Sequence, residues 1–337
     1  MQSSGADPAI APGAALVDGV LSASIVIPSF NRRGLLLETL RSLADQTLPP
    51  ERYEVVVGID GSNDGTLEAL SQSQFPFALR WVWQDNRGTG AAVNRAAAMA
   101  RGDVLIFLGD DQRTSRQLVA SHLDAQTRHG DVLVQGYYPN APECARSGAA
   151  MVYDRSIRML PDIFVAGGPR RWHLWGANFS LRRNTWLRVG GYDESFREYG
   201  CEDTDLGIRI AKLGVRSVFE PGALSSHLHF VDYADFRRHS LSEGRALVRL
   251  ADKHGLQLSA FSGAAAGGRL DGALKLGWRR APAGMDLLGR TLTVGLRLAD
   301  RTRVRPVQLN LARVIRRLYK VGGITAQYEN SRRERTR

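Results

Sequence analysis

The sequence predicts an α/β protein: a mostly parallel sheet flanked by helices, followed by a basic, mainly helical C-terminal extension. Over the first two-thirds of the chain, short apolar runs alternate with segments whose apolar residues recur at helical spacing, the order that builds doubly wound sheets. The charge then changes. Residues 231–337 hold 22 Lys and Arg against 9 Asp and Glu, a balance of +13, whereas residues 1–230 have a balance of −2. We therefore expect a domain boundary near residue 230.

The elements of the sheet are predicted from runs of branched and aromatic residues. We expect buried strands at Ser24–Pro28, Tyr53–Ile59 and Val104–Leu108. The alternating apolar residues of Phe77–Trp83 predict a strand near the sheet edge. Helices are expected at Leu35–Leu43, at Ala91–Ala100, whose small residues suit close packing on a sheet, and at Glu202–Leu213. Residues 137–171 predict a loop with a short helical patch near Ile157, before extended chain resumes at Gly176–Leu181.

Four segments make up the predicted domain organisation. Residues 1–21 are expected to be a disordered leader, 22–230 the α/β domain, 231–325 the basic helical extension and 326–337 a solvated tail. Within the extension, one apolar helical stripe is expected from Val307, Leu311, Val314, Ile315 and Leu318, with Arg313, Arg316, Arg317 and Lys320 mostly elsewhere.

Composition argues against several classes of protein. Two cysteines, Cys144 and Cys201, are too few for a disulfide framework, so we expect a reducing compartment and a cytoplasmic location. The N-terminus lacks the pattern of a signal peptide, and no run of 18 apolar residues predicts a spanning helix. Few aromatic residues interleave with the C-terminal arginines, which argues against nucleic-acid binding. The basic extension is either a solvated helical surface or a peripheral contact with the anionic inner face of a membrane.

The strand Val104–Leu108 ends directly at Gly109-Asp110-Asp111. Adjacent carboxylates at the end of a buried strand are costly unless a cation uses them, and open α/β sheets bind ligands at the carboxyl ends of their strands. A divalent cation with a phosphate beside it would explain the pair. An ordinary turn with an Asp cap is the alternative.

Six motifs occur in order along the chain: SIVIPSFNR (24–32), GIDGSNDGT (58–66), NRGTGAAVNRA (86–96), FLGDDQ (107–112), GANFSLRR (176–183) and GGYDESF…CEDTDLGIRIAKLG (190–214). Together they resemble family 2 glycosyltransferases, inverting enzymes of the GT-A fold that use nucleotide sugars. The resemblance covers residues 22–230. It implies transfer of a sugar from a nucleotide-diphosphate sugar, expected to be a UDP-sugar, to a hydroxyl of a carbohydrate or lipid-linked acceptor. The expected setting is polysaccharide, glycolipid or cell-envelope glycan synthesis.

The resemblance assigns donor binding to residues near the ends of the first strands. Asp60 matches the second Asp of the family's DDGS motif, whose first Asp is Ile59 here, and is expected to accept a hydrogen bond from a nucleobase N–H. An Asx-turn is the alternative, and it is the role expected of Asp64. The other expected donor-binding residues are Pro28, Ser29, Asn31, Arg87, Asn94 and the ribose-facing Asp110. For Arg87 and Asn94, simple polarity at a helix start or surface is an equal alternative.

The metal site is expected at Asp111. Gly109 stands where the family's Asp-x-Asp has its first Asp, so Asp111 is the expected ligand of Mg²⁺ or Mn²⁺. One carboxylate suffices for Mg²⁺ when the donor diphosphate and water complete its coordination. His227 follows at the distance at which related enzymes supply a further ligand, and His229 is the alternative.

The resemblance places the chemistry in the second acidic cluster, Glu202-Asp203. Acidic residues also favour a helix N-terminus for electrostatic reasons alone. By the resemblance, Asp203 is the general base, and Glu202 and Asp205 orient it or hold the loop. On the acceptor side we expect Trp172, Trp175 and Asn178, although core packing would equally explain the tryptophans.

Two other function classes stay open. Gly109 would suit a catalytically silent module that binds sugar nucleotides or carbohydrate. A nucleotidyltransferase would need a phosphate loop rich in Gly, Lys and Arg after the first strand, where Ser29–Gly34 offers only Arg32, Arg33 and Gly34.

Overall fold

The computed structural model describes residues 9–10, 21–165, 174–228, 230–261 and 269–335. The chain divides into two compact units. The first comprises Met1–Ala141, Ile157–Arg197 and Glu202–Leu228, and the second comprises Pro142–Ser156, Glu198–Cys201 and His229–Arg337. The last segment of the second unit begins where the change in charge predicts a boundary. The two short segments that the second unit takes from earlier in the chain carry no comparable signal in the sequence.

The first unit is built on a nine-stranded sheet with the order β1-β4-β3-β2-β5-β8-β7-β9-β6. The strands are β1 (Ala9–Ile10), β2 (Ala23–Ser29), β3 (Tyr53–Asp60), β4 (Ala78–Gln84), β5 (Val104–Leu108), β6 (Gln112–Thr114), β7 (Leu133–Tyr137), β8 (Asn178–Arg182) and β9 (Ser217–His227). Strands β4, β3, β2 and β5 are mutually parallel, and so are β7 and β9. The predicted helix-flanked, mostly parallel core is confirmed, with antiparallel pairs at β1–β4, β5–β8, β7–β8 and β6–β9.

Twelve α-helices lie in the described part of the chain. They are α1 (Arg33–Leu43), α2 (Thr66–Gln72), α3 (Thr89–Met99), α4 (Leu118–His129), α5 (Gly148–Arg158), α6 (Leu160–Val165), α7 (Arg183–Val189), α8 (Glu202–Lys212), α9 (Tyr233–His254), α10 (Arg269–Arg280), α11 (Pro282–Thr302) and α12 (Arg305–Arg335). By the criteria of length and apolar character, none of these helices could cross a membrane.

Both faces of the sheet are buried because its strands alternate their side chains between two apolar layers. Ile25 and Ile27 of β2 pack in the layer that contains α1, whereas Val26 packs in the layer of α3. Helix α3 lies very close to β3. A Cβ added at Gly58 would come within 2.3 Å of the backbone oxygen of Ala92, which agrees with the small-residue helix predicted there.

Two parts of the chain differ from the sequence-based expectations. Ala9–Ile10 of the predicted leader pairs with β4, so that β1 lies at the sheet edge; the other leader residues up to 20 fall outside the described ranges. The loop predicted over residues 137–171 is wrong where α5 and α6 form, although the short helical patch expected near Ile157 lies within α5. Within the second unit, Ala149 and Val152 of α5 bury their side chains in one cluster with Phe236, a long-range contact that local Pro and Gly content does not reveal.

The second unit is a helical assembly around α9 and α12. These two helices touch at glycines: a Cβ at Gly244 would lie 2.1 Å from the Lys320 oxygen, and one at Gly323 would lie 1.9 Å from the Leu241 oxygen. Helix α12 continues to Arg335, so the expected solvated tail is helical through that residue. Neither Cys144 nor Cys201 forms a disulfide.

The apolar stripe predicted on α12 is wrong in part. Ile315 and Leu318 are buried, but Val307 and Val314 are 46 % and 52 % exposed. Arg316 and Lys320 instead face inward, where each pairs with Glu243 at 3.0 Å. The buried face of α12 is therefore turned away from the predicted stripe.

Candidate active site

The buried acidic pair lies at the carboxyl end of β5. Asp110 and Asp111 are 5 % and 4 % exposed. The Ser29 hydroxyl donates to Asp110 Oδ2 at 2.8 Å. Arg32 Nη1 donates to Asp110 Oδ1 at 3.2 Å and to Asp111 Oδ2 at 2.9 Å. The structure therefore brings together the predicted donor residues Ser29 and Asp110, and it adds Arg32, which the sequence did not assign to this site.

The two carboxylates of the pair influence each other's charge. Burial, and then the neighbouring Asp111 carboxylate, raise the pKa of Asp110, while Arg32 opposes the shift. Two carboxylates share one guanidinium whose own side chain is 40 % exposed. A further cation at this position would relieve the repulsion between the carboxylates.

Strand pairing brings His227 to the acidic pair. In the β6–β9 register Gln112 lies opposite His227, and the His227 Nε2 atom is 3.2 Å from Asp111 Oδ2. The Tyr138 ring packs edge-on against the imidazole with the ring centroids 6.0 Å apart. The two expected metal ligands are thus adjacent, although they lie more than a hundred residues apart in the chain.

The donor atoms fit a divalent cation. Adjacent ligands of an octahedral ion at about 2.1 Å from the metal are about 3.0 Å apart, close to the 3.2 Å between His227 Nε2 and Asp111 Oδ2. Across the described ranges, no group of three or more His, Cys, Asp or Glu side chains could hold a metal ion. The protein would therefore supply two ligands, leaving the other positions to phosphate and water. His229, the alternative ligand, lies outside the described residues.

Asp203 is held in a fixed position at the start of α8. Its Oδ1 atom accepts a hydrogen bond from the Tyr192 hydroxyl at 2.7 Å, and its Oδ2 atom accepts one from the Gly176 N–H at 2.9 Å. Burial raises the pKa of Asp203, and these two hydrogen bonds oppose the shift. A Cβ at residue 176 would lie 2.5 Å from the carboxylate, so this close approach requires Gly176.

Tyr138 connects Asp203 electrostatically to the acidic pair. Its side chain is buried, and its pKa is raised well above the usual value by burial and then by the charges of Asp203 and Asp111. The phenol therefore lies within electrostatic range of both carboxylates. Neither Tyr138 nor Tyr192 was assigned a role from the sequence. Tyr192 could have been noticed as part of GGYDESF, whereas Tyr138 follows β7 with no local signal.

Asn94 and Arg87 both contact the segment that carries Tyr192. The Asn94 amide accepts from Tyr192 N–H at 2.8 Å and donates to the Tyr192 oxygen at 2.9 Å. Arg87 donates to Glu194 at 2.9 Å. Asn94 therefore positions Tyr192, and through it Asp203; its predicted contact with the nucleotide, like that of Arg87, stays a prediction.

Asp60 lies at the end of β3 and organises the loop after β4. It is 4 % exposed. Its carboxylate accepts hydrogen bonds from Gln84 Nε2 at 2.8 Å, from the Arg87 N–H at 2.8 Å and from the Gly88 N–H at 2.9 Å. A carboxylate has about four lone-pair sites, so one acceptor position remains for the predicted nucleobase contact.

Asn31 and Asp64 join the loops after β2 and β3. Asn31, with φ of 51°, accepts from the Asn63 N–H at 2.9 Å and donates its own N–H to the Ser62 hydroxyl at 3.0 Å. Asp64 accepts from the Arg33 N–H at 2.8 Å, the backbone-satisfying role predicted for it. Pro28 precedes Ser29 in β2 and lies opposite Gly58. These contacts give the rim of the site a defined shape.

The three residues predicted on the acceptor side, Trp172, Trp175 and Asn178, have different outcomes. Asn178 is fully buried, and its amide is used by His122 at 2.9 Å and by the Ala223 oxygen at 2.8 Å. The prediction that Asn178 contacts the acceptor is therefore wrong, because the strand-borne amide faces the core. Trp175 is half-buried and packs with Tyr138, while Trp172 lies outside the described residues.

The other acidic residues of α8 separate into two settings. Asp205 is fully buried and accepts from Arg209 at 2.8 Å, and Arg209 also donates to the Val189 oxygen. This pair anchors α8, as expected of a residue that holds the loop. Glu202 lies close enough for its charge to raise the pKa of Tyr192, after burial and Asp203.

Two protein-family models match the segments that carry the site residues. The model described as glycosyl transferase family 2 matches residues 24–184. A second model, described as the N-terminal domain of galactosyltransferase, matches residues 169–232. The two matches together span the strands and loops that carry Ser29, Asp60, Asp111 and Asp203.

Among characterised sequences, the validoxylamine A glucosyltransferase of Streptomyces hygroscopicus subsp. limoneus is 31 % identical over 232 residues. The match covers 61 % of this chain and 51 % of that protein. The chain thus spans about half the length of this relative.

Solved structures share the fold. A mannosyltransferase from Pyrobaculum calidifontis, in complex with GDP-Man and Mn²⁺, aligns with a TM-score of 0.58 at 20 % identity, covering 93 % of this chain and 90 % of that one. Residues 1–349 of S. aureus TarS in complex with UDP-GlcNAc align with a TM-score of 0.51 at 16 % identity, covering 93 % and 92 %.

Proposed function

Because this chain belongs to glycosyl transferase family 2, we propose that it transfers a sugar with inversion from a nucleoside diphosphate sugar, expected to be UDP-linked, to a hydroxyl acceptor. The observation that carries the proposal is the setting of Asp203. The carboxylate is fixed by the Gly176 N–H and the Tyr192 hydroxyl, and Tyr138 lies in electrostatic range of both Asp203 and Asp111. One buried base and one cation-binding acidic pair thus border a common region.

Asp203 acts as the general base. It takes the proton of the acceptor hydroxyl as that oxygen forms a bond to the anomeric carbon. The bond from the anomeric carbon to the diphosphate breaks on the opposite face, so the configuration inverts. The raised pKa of Asp203 makes its carboxylate a better proton acceptor than an exposed aspartate.

Asp111 and His227 would hold a divalent cation, Mg²⁺ or Mn²⁺, which when bound neutralises charge on the departing diphosphate. Ser29 and Arg32 hold Asp110 towards the same region. The GDP-Man and Mn²⁺ complex of the P. calidifontis enzyme supports a nucleotide-sugar and metal site in this fold. The donor side is bordered by Asp60, Pro28, Asn31 and Arg87, and the acceptor side by Trp175. We propose that the acceptor is a hydroxyl of a carbohydrate or a lipid-linked molecule, in the synthesis of a polysaccharide, glycolipid or envelope glycan.

The proposal is tested by incubating the full chain with a panel of UDP- and GDP-sugars and measuring release of free nucleoside diphosphate. We expect release from one donor class, loss of release after EDTA treatment, and recovery when Mn²⁺ or Mg²⁺ is added back. Donor binding without turnover, with acceptors of several classes present, would instead favour a silent binding module, for which Gly109 is the one supporting observation.

A further inference from the structure

Helix α11 carries an apolar stripe on its solvent side in addition to the one it packs into the second unit. Leu287, Val294 and Leu298 are 66 %, 56 % and 55 % exposed. Their spacing of seven and four residues places them on one face of the helix, with Leu288, 46 % exposed, beside them. Leu296 on the opposite face is fully buried. Single exposed leucines are ordinary, but a continuous row along a helix indicates an interaction surface.

Arginines line one edge of this stripe. Arg290, Arg297 and Arg301 are all exposed and follow the same spacing of seven and four residues. At 100° per residue they lie within one quarter turn of the leucine row. The Arg297 guanidinium lies over the Tyr233 ring at the start of α9, 4.9 Å from the ring centre.

Both carboxylates of α11 have partners within the second unit. Asp286 accepts from the Tyr319 hydroxyl at 2.8 Å and from Arg290 at 2.8 Å. Asp300 accepts from the Gly148 N–H at 2.9 Å and from the Tyr233 hydroxyl at 2.6 Å. Asp286 therefore offsets the charge of Arg290, and Arg297 and Arg301 leave the exposed face with a net positive charge. Residues 279–305 contain seven arginines and only these two acidic residues.

We propose that the exposed face of α11 is an interfacial helix that docks on a membrane leaflet containing anionic phospholipids. Leu287, Val294 and Leu298 enter the boundary between headgroups and acyl chains, and the arginines contact lipid phosphates. An anionic lipid surface complements both the apolar and the cationic row. A second copy of the chain would complement only the apolar row, because its own face carries the same arginines. The inference holds independently of whether the first unit transfers sugars.

Sedimentation of the full chain with lipid vesicles tests the proposal. We expect binding to vesicles that contain phosphatidylglycerol, weaker binding to pure phosphatidylcholine, and a decrease as salt is added. The triple variant Leu287→Ser/Val294→Ser/Leu298→Ser should bind at least about tenfold more weakly. Arg290→Gln/Arg297→Gln/Arg301→Gln should lose affinity by about fivefold for each arginine.

Matched controls on the first unit are Leu187→Ser, which removes a leucine that is 64 % exposed on α7, and Arg41→Gln, which removes an exposed arginine of α1. Both should bind vesicles as the unaltered chain does. The proposal is overturned if the chain does not bind anionic vesicles. It is also overturned if the leucine and arginine variants, shown to be folded by circular dichroism, bind these vesicles as tightly as the unaltered chain. A dimer in solution that the leucine variant converts to a monomer, without vesicle binding, would assign the face to a second copy instead.

Discussion

At the scale of single residues, the catalytic proposal rests on how Asp203 is held. Its carboxylate has two internal donors, the Gly176 N–H and the Tyr192 hydroxyl, and Tyr192 is itself fixed by Asn94. These contacts orient the base. The pKa of Asp203 is raised because burial outweighs the two hydrogen bonds.

Replacing Tyr192 by Phe removes one donor to the ionised form of Asp203. Because that hydrogen bond opposes the upward shift, its loss raises the pKa of Asp203 further. The base must be ionised to work, so the acidic limb of the pH profile of kcat/KM should move to higher pH, by on the order of one unit. Tyr53→Phe, which removes a buried hydroxyl bonded to the Leu43 oxygen, is the control and should leave the limb in place. A limb that stays fixed or moves to lower pH in Tyr192→Phe contradicts the assignment.

Arg32 occupies the side of Asp111 that a metal ion would share. Its guanidinium donates to the same Oδ2 atom that lies 3.2 Å from His227. Arg32→Gln should therefore strengthen Mn²⁺ binding by about fivefold, since a repelling charge is removed from beside the ligand. The affinity is measured from free Mn²⁺ by electron paramagnetic resonance, with Arg116→Gln, an exposed partner of Asp45, as the matched control. Unchanged or weaker Mn²⁺ binding in Arg32→Gln alone would show that the ion does not use Asp111.

The sequence predicted those site residues that come directly at the carboxyl end of a strand. Ser29, Asp110 and Asp111 lie together because β2 and β5 are parallel neighbours whose carboxyl ends meet at one edge. Arg32 and Tyr138 could not be found this way, since their contacts depend on where loops fold back over that edge. Asn178 was misassigned because a motif does not reveal which face of a strand its amide occupies.

At the scale of elements, one strand pair decides the proposed metal site. The β6–β9 register sets Gln112 opposite His227, and shifting it by one residue would turn the imidazole to the other face. The sequence predicted the apolar strands β2, β3 and β5 well because their runs are buried on both sides. It did not predict β6, which has three residues, or helix α6, and it predicted only a short helical patch near Ile157 where α5 runs from Gly148 to Arg158.

Helices α9 and α12 are joined by a buried ionic cluster. Arg316 and Lys320 hold the pKa of Glu243 at about 2, outweighing the effect of burial, which acts in the opposite direction. A folded-state pKa below the ordinary value of 4.5 gives stability that is fully present above that pH and is lost as pH falls towards 2.

Glu243→Gln should therefore lower the free energy of unfolding of the second unit at neutral pH by about 3 kcal/mol, because two cations lose their partner. It should also flatten the decline in stability between pH 4.5 and 2. Denaturant unfolding across this pH range measures both effects. Asp235→Asn, on the same helix in an exposed pair with Arg238, should change stability by less than about 1 kcal/mol. Equal effects of the two substitutions would contradict the role of the cluster.

At the scale of the whole molecule, charge and chemistry are divided along the chain. The described residues proposed for donor binding, metal binding and catalysis belong to the first unit, whereas the net positive charge of the chain comes from residues 231–337. The change in charge predicted that division near residue 230. It could not predict that Pro142–Ser156 and Glu198–Cys201 join the second unit, because segments this short carry no compositional signal.

The central claim is that Asp203 removes the acceptor proton, and Asp203→Asn tests it most directly because the amide keeps the shape and removes the base. With donor and acceptor saturating, we expect turnover to fall by about 10²- to 10⁴-fold, while donor affinity stays within about twofold of the unaltered chain. Asp45→Asn, an exposed carboxylate paired with Arg116, should leave both quantities unchanged. Near-normal turnover of Asp203→Asn with intact donor binding would contradict the account.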